Sequence, residues 1–246
     1  MKIGIFDSGL GGLFLMKPVV KALPQYDFIY LGDTLNLPYG DKKQNEIYRF
    51  TRQALDFLFA KDCAIVFLFC NTASASALRK LQHEGYKALG IIIPTIEEAS
   101  GKRIGLLATQ STVDSGKYIV EINKILPNAK VFQLAAPKLV PMIESGMIDR
   151  PIIYKYSEFI MKQNIDTLIL GCTHYGAIKK YLPKHIKIIS QEDIIAPKVA
   201  DYLRRHPEIE SRLSRTGSRE YFVTADHPRF DNFRDFDSSV FRLIIL

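Results

Sequence analysis

The chain has 246 residues, 47% hydrophobic and 24% charged, an ordinary globular composition with enough length for one large domain or two small ones. No apolar run reaches the roughly 18 residues of a membrane span. The opening MKIGIFDSGLGG puts an acid and glycines where a signal peptide carries an unbroken apolar run, so a cytoplasmic location is expected. Lys plus Arg number 33 against 26 Asp plus Glu, a net +7. The excess is diffuse, and its densest stretch, Lys179 to Lys187, reads as a solvated helix and loop rather than a nucleic-acid or phosphate patch.

Eight short apolar runs read as strands: Lys2–Phe6, Asp27–Leu31, Ala64–Phe69, Gly90–Ile93, Arg103–Ala108, Lys130–Leu134, Thr167–Leu170 and Lys187–Ser190. Most are continuous rather than alternating, as strands covered on both faces are. Helical spacing separates them. In KQNEIYRFTRQALDFLFAK, Ile47, Phe50, Ala54, Leu55 and Leu58 fall on one helix face. Pro18 lies several residues into the first helical segment, which predicts a kink or a late start there. Strand–helix alternation predicts an α/β fold with mainly parallel sheets.

The pattern also repeats. KIGIFDSG opens the chain and RIGLLATQ restarts at Arg103; Gly4 precedes Cys70 by 66 residues and Gly105 precedes Cys172 by 67. Each of these cysteines ends a strand, in FCNTA and GCTHY. Two similar halves follow, one of residues 1–97 plus about 207–246 and one of 98–206, with PTIEEASGK (Pro94 to Lys102) as the crossover. The late REYFVTADHPRF carries a strand signal that returns to the first half.

Parallel sheets place their sites at the carboxyl ends of strands. Asp7 and Ser8, the loop after Leu31, Cys70 to Thr72, Thr109 to Thr112, and Cys172 to His174 all lie on that kind of edge. If the halves face each other, these edges surround one cleft. FDSGLGG does not complete GxGxxG and lacks GK[ST], so it reads as a tight turn. Three cysteines without CxxC spacing give neither a disulfide framework nor a structural zinc site, although Cys70, Cys172 and His174 could gather a metal. Cys63 reads as a core residue. Cys70 and Cys172 each precede residues that can start a helix, whose N–H groups would lower a thiol pKa from about 8.5 toward 7. One such thiol with His174 would suit acyl transfer. Two equivalent thiols suit removal of a proton from one face of a carbon and its return to the other.

IGIFDSGLGG, GDT…PYG, CNTASA, TLILGCTHY and FVTADHPRF together resemble the aspartate/glutamate racemase family, glutamate racemases in particular. The resemblance implies two pseudosymmetric α/β domains with mainly parallel sheets and an active site in the cleft between them. It implies interconversion of L- and D-glutamate with no cofactor and no metal, supplying D-glutamate for peptidoglycan, with a homodimer compatible. Carried over by motif, Cys70 acts on D-glutamate and Cys172 on L-glutamate. Asp7 assists Cys70, while His174 and Glu144 assist Cys172. Ser8, Tyr39, Gly40, Asn71, Thr72, Thr109, Thr112, Thr173 and His174, with Asp7, hold the substrate. The chain departs from the family pattern at Leu35 and Asn36 (for ARVPYG), at Ile93 (for VIEP) and at Gly176–Ala177 (for Pro-Leu), which bears on loop shape and packing. Aspartate racemisation is the nearest rival, since a methylene shifts discrimination by only about 1–3 kcal/mol. A single-thiol hydrolase or decarboxylase, or a binding protein without catalysis, accounts less well for the duplicated cysteine motifs.

Overall fold

The computed structural model describes residues 1–226 and 241–246. The first half runs β1 (Lys2–Asp7), α1 (Gly12–Ala22), β2 (Phe28–Gly32), a 3-10 turn at Tyr39–Asp41, α2 (Gln44–Ala60), β3 (Cys63–Leu68), α3 (Asn71–Ser76), α4 (Leu78–His83) and β4 (Ala88–Gly90). The crossover helix α5 (Ile92–Glu97) leads to β5 (Arg103–Ala108), α6 (Gln110–Asp114), α7 (Lys117–Ile125), β6 (Lys130–Ala135), α8 (Leu139–Glu144), α9 (Arg150–Lys162), β7 (Thr167–Gly171), a 3-10 run Thr173–Tyr181 and β8 (Lys187–Ile189). α10 (Gln191–Arg205) and α11 (Pro207–Glu210) precede β9 (Arg219–Val223), and β10 (Phe241–Leu243) completes the described elements.

The strands form two sheets, ordered β10-β9-β2-β1-β3-β4 and β6-β5-β7-β8, with every pairing parallel. The order β2-β1-β3-β4 recurs as β6-β5-β7-β8, so β1 corresponds to β5 and β3 to β7. In both sheets the chain first moves to one side of the opening strand and then to the other. The crevice at that switch point lies between β1 and β3 in the first sheet and between β5 and β7 in the second.

Helices cover both faces of each sheet, which explains the continuous apolar runs. One face of the first sheet packs against Leu13, Met16 and Val19 of α1 and Ile195, Val199 and Leu203 of α10. Its other face packs against Ile47, Leu55 and Leu58 of α2. Truncating any of these leucines, isoleucines or Met16 to alanine costs about 2–5 kcal/mol. The second sheet is covered by α8, α9 and the 3-10 run on one face and by α5 and α7 on the other.

Three details depart from the sequence reading. The run Gly90–Ile93 is not a strand: β4 ends at Gly90 and Ile92 begins a helix. Periodicity cannot separate a short buried strand from a helix turn, and here Ile92 and Ile96 are buried one turn apart while Ile93 is 40% exposed. Pro94 is tolerated because it lies in the first turn, where an N–H has no intrahelical partner. The late start offered for α1 is not found, since the helix begins at Gly12 and runs through Pro18 to Ala22. α10 falls within 98–206, yet its Ile195, Val199 and Leu203 join the first core while Ile194 joins the second. Of the motif FVTADHPRF, His227 to Phe230 lie outside the described residues.

Candidate active site

Both switch-point crevices open on one narrow cavity of about 40 Å³. From the first sheet it is lined by Ser8 after β1, Tyr39 and Gly40, and Cys70, Asn71 and Thr72 after β3; from the second by Thr109 after β5, Glu144 at the end of α8, and Cys172, Thr173 and His174 after β7. Asp7 and Thr112 lie behind this wall, each bonded to a residue that forms it. A roomier cavity of about 500 Å³ opens beside β4, lined by Phe69, Leu78, Ile92, Lys198 and Tyr202 among others. It holds no thiol, so chemistry rather than volume selects the narrow one. The two sulfurs therefore face a common cleft.

The two thiols sit in unlike surroundings. Cys70 caps α3: its Sγ accepts the Ala73 N–H at 3.4 Å and lies 3.2 Å from Ser8 Oγ. Burial and the Asp7 charge outweigh these two bonds, and the Cys70 thiol is pushed up to about 12. The lowered pKa expected of a helix start is thus not found, because α3 is short and the sulfur is dry. Cys172 has no cap bond and leads into a 3-10 run rather than an α-helix. Its Sγ lies 3.8 Å from His174 Nδ1, and His174 Nε2 lies 3.1 Å from Glu144 Oε1. Burial alone would push the imidazole down. Cys172 and Glu144 outweigh it and raise His174 to about 10.

Asp7 is fully enclosed. Its Oδ1 accepts the Gly9 N–H at 2.9 Å and its Oδ2 accepts Thr173 Oγ1 at 3.5 Å. Burial raises its carboxyl, opposed by the His174 charge and the Gly9 and Gly12 amides. Thr72 Oγ1 lies 2.9 Å from Thr109 Oγ1 and 3.3 Å from Thr112 Oγ1, so three hydroxyls close the cleft from both sides.

Two side chains expected to hold a substrate are committed elsewhere. Tyr39 donates its hydroxyl to Asp33 Oδ2 at 2.6 Å. Asn71 Nδ2 donates to Gln191 Oε1, and Asn71 Oδ1 accepts from Tyr118 OH and Gln191 Nε2. Sequence reasoning missed Asp33, Tyr118 and Gln191. A carboxylate directly after β2, in GDT, was the available sign for Asp33; a lone Tyr and a lone Gln at helix starts gave none. Among the described residues no three His, Cys, Asp or Glu side chains are grouped to hold a metal ion. Among them, too, no helix is long and apolar enough to cross a membrane.

Comparison with known proteins finds close relatives on both sequence and structure. The chain is 36% identical over 247 residues to a glutamate racemase of Persephonella marina, covering 96% of this chain and 92% of that one. It is 40% identical over 205 residues to a glutamate racemase of a Picosynechococcus species, covering 78% and 73%. Its fold superposes on a glutamate racemase of Francisella tularensis, solved in complex with D-glutamate, with a TM-score of 0.89, 28% identity and coverage of 99% and 97%. No family model matches the chain.

Proposed function

The chain belongs to the glutamate racemase family, and we propose on that footing that it interconverts L- and D-glutamate with Cys70 and Cys172 as paired acid and base. The observation that carries the reading is that the two thiols line one cavity from corresponding positions on two like-ordered sheets. In the D-to-L direction the Cys70 thiolate takes the α-proton. The electron pair of that C–H bond stays on the substrate, delocalised into its α-carboxylate, and the Cys172 thiol delivers its proton to the opposite face. Cys70 ends as thiol and Cys172 as thiolate, the pair of states that starts the L-to-D direction.

The surroundings of Cys70 favour its thiol form. Burial and Asp7 keep Cys70 protonated, and His174 sets positive charge against the Cys172 sulfur. Cys70 is accordingly set as the acid of the L-to-D direction. For D-glutamate the substrate's ammonium, drawn to Asp7, supplies the charge that stabilises a Cys70 thiolate. Among the described residues, no Lys or Arg lines the cavity. Its carboxylates are held instead by hydroxyls of Ser8, Thr72, Thr109 and Thr173 and by backbone N–H groups near Gly40 and Asn71, with Thr112 supporting Thr109. His174 and Glu144 tune the Cys172 side. The same proposal covers a cytoplasmic supply of D-glutamate for peptidoglycan. It also covers a division into 1–97 plus about 207–246 and 98–206, with α10 packed into both cores.

Incubation with L- or D-glutamate in deuterated water, without pyridoxal phosphate, tests this. Both enantiomers should racemise and gain deuterium at the α-carbon, and Cys70→Ala and Cys172→Ala should each abolish racemisation. Wild-type protein that leaves the α-hydrogen of glutamate in place would sink the reading.

A further inference from the structure

The chain crosses between the sheets twice, forward through α5 and back through α10. One residue of each crossing, Thr95 of α5 and Gln191 at the first position of α10, meets beside Cys70. Gln191 Nε2 lies 2.8 Å from Asn71 Oδ1 and 3.2 Å from Thr95 Oγ1, and Asn71 Nδ2 lies 2.8 Å from Gln191 Oε1. Tyr118, from α7 of the second half, donates its hydroxyl to Asn71 Oδ1 at 2.7 Å. Thr95 donates in turn to Ile91 O at 2.6 Å. All four side chains are buried: Thr95 and Tyr118 at 0% exposure, Asn71 and Gln191 at 2%.

The pair of carboxamides forms a closed ring of two reciprocal bonds, which fixes both planes at once. Asn71 is the first residue of α3, the helix capped by Cys70. Its side chain has no remaining acceptor for a substrate amine, and its one spare N–H is the only group left over. A buried polar network with its partners satisfied rigidifies what it joins, and losing one member leaves the rest unpaired away from water.

We infer that Gln191 is a positioning residue: through Asn71 it ties both crossings between the sheets to the helix that carries the Cys70 thiol. It sets the aim of that sulfur at the α-carbon, and its own bonds run to Asn71, Thr95 and Tyr118, none of them in the Cys172 loop. The inference rests on the two-thiol reading above.

The test is Gln191→Leu, which keeps the bulk and removes both carboxamide bonds. Steady-state rates on both enantiomers should fall about 10-fold or more in kcat/KM, in step, because the equilibrium is symmetric. The decisive readout is the isotope effect of an α-deuterium. Proton transfer at Cys70 becomes the slow step, so the effect with α-deuterated D-glutamate should rise and that with α-deuterated L-glutamate should fall toward unity. Should Gln191→Leu not fold, Tyr118→Phe, which removes the hydroxyl's bonds to Asn71 and Gln191 but keeps the carboxamide ring, should show the same opposed movement to a smaller extent. Two isotope effects that stay put or move together in an active variant overturn the inference alone. Wild-type protein that does not exchange the α-hydrogen overturns the two-thiol reading, and this inference with it.

Discussion

A methyl group built on Gly11 would lie 2.4 Å from Thr173 Oγ1 and 2.6 Å from the His174 ring; one built on Gly40 would lie 2.8 Å from Thr109 Cβ. These two glycines let loops of the first half press directly on the edge of the second that carries Thr109, Thr173 and His174. Gly11→Ala is expected to lower kcat/KM at least 10-fold. Gly9→Ala, whose added carbon meets Leu37 at 3.5 Å and Glu144 Oε1 at 4.0 Å, both ordinary contact distances, should cost much less. Rate measurements on the two variants check this, and equal losses would contradict it. The thiols and their flanking polar residues were legible in sequence because each residue type sits at a strand end in a repeated context. Their protonation was not. Whether Cys70 is raised or lowered depends on how dry the sulfur is and on Asp7 in another strand, neither of which local spacing encodes. The same holds for Asn71, which lines the cavity as expected but spends its carboxamide on Gln191 and Tyr118.

At the scale of elements, the loop between β2 and the 3-10 turn depends on a strand almost two hundred residues away in sequence. Asp33, fully buried, accepts from Tyr39 OH, from Asn36 Nδ2 at 3.0 Å and from Thr224 Oγ1 at 2.6 Å, just beyond β9. Thr34 Oγ1 donates to Ala225 O at 2.6 Å and accepts the Ala225 N–H at 2.9 Å. Asn36, one of the departures from the family pattern, thus has a local role as a donor to Asp33. Asp33→Ala leaves buried donors unpaired, at about 1–3 kcal/mol each. Thermal unfolding should shift down, and KM for glutamate should rise more than kcat falls, because the loop lines the site without touching the proton path. Unchanged KM would contradict this. Most strands could be placed from their apolar runs because burial on both faces leaves a continuous signal. Gly90–Ile93 could not, since a buried helix turn leaves the same four letters. The continuation of α1 through Pro18 shows tertiary packing overriding a local preference, with Leu13, Met16 and Val19 all sunk in the core.

For the whole molecule, the repeat of strand order was foreshadowed by the two glycine-to-cysteine spacings, while the double membership of α10 was not, since its apolar stripe reads the same against either sheet. Burying charged groups at the junction has a consequence for stability. His174 is raised from about 6.5 unfolded to about 10 folded. The folded state therefore holds the proton more tightly. This contribution is full below pH 6.5 and is lost as pH rises through about 10. The melting temperature should accordingly fall between about pH 7 and 10, and His174→Asn should flatten that slope; an equally steep slope in the variant would contradict it. The central claim concerns geometry across the cleft, and the most direct measurement is a crystal structure of the wild-type protein with glutamate bound. The account predicts the Cys70 and Cys172 sulfurs in contact with the α-carbon, one on each face. Both sulfurs on the same face, or only one within reach of that carbon, would contradict it.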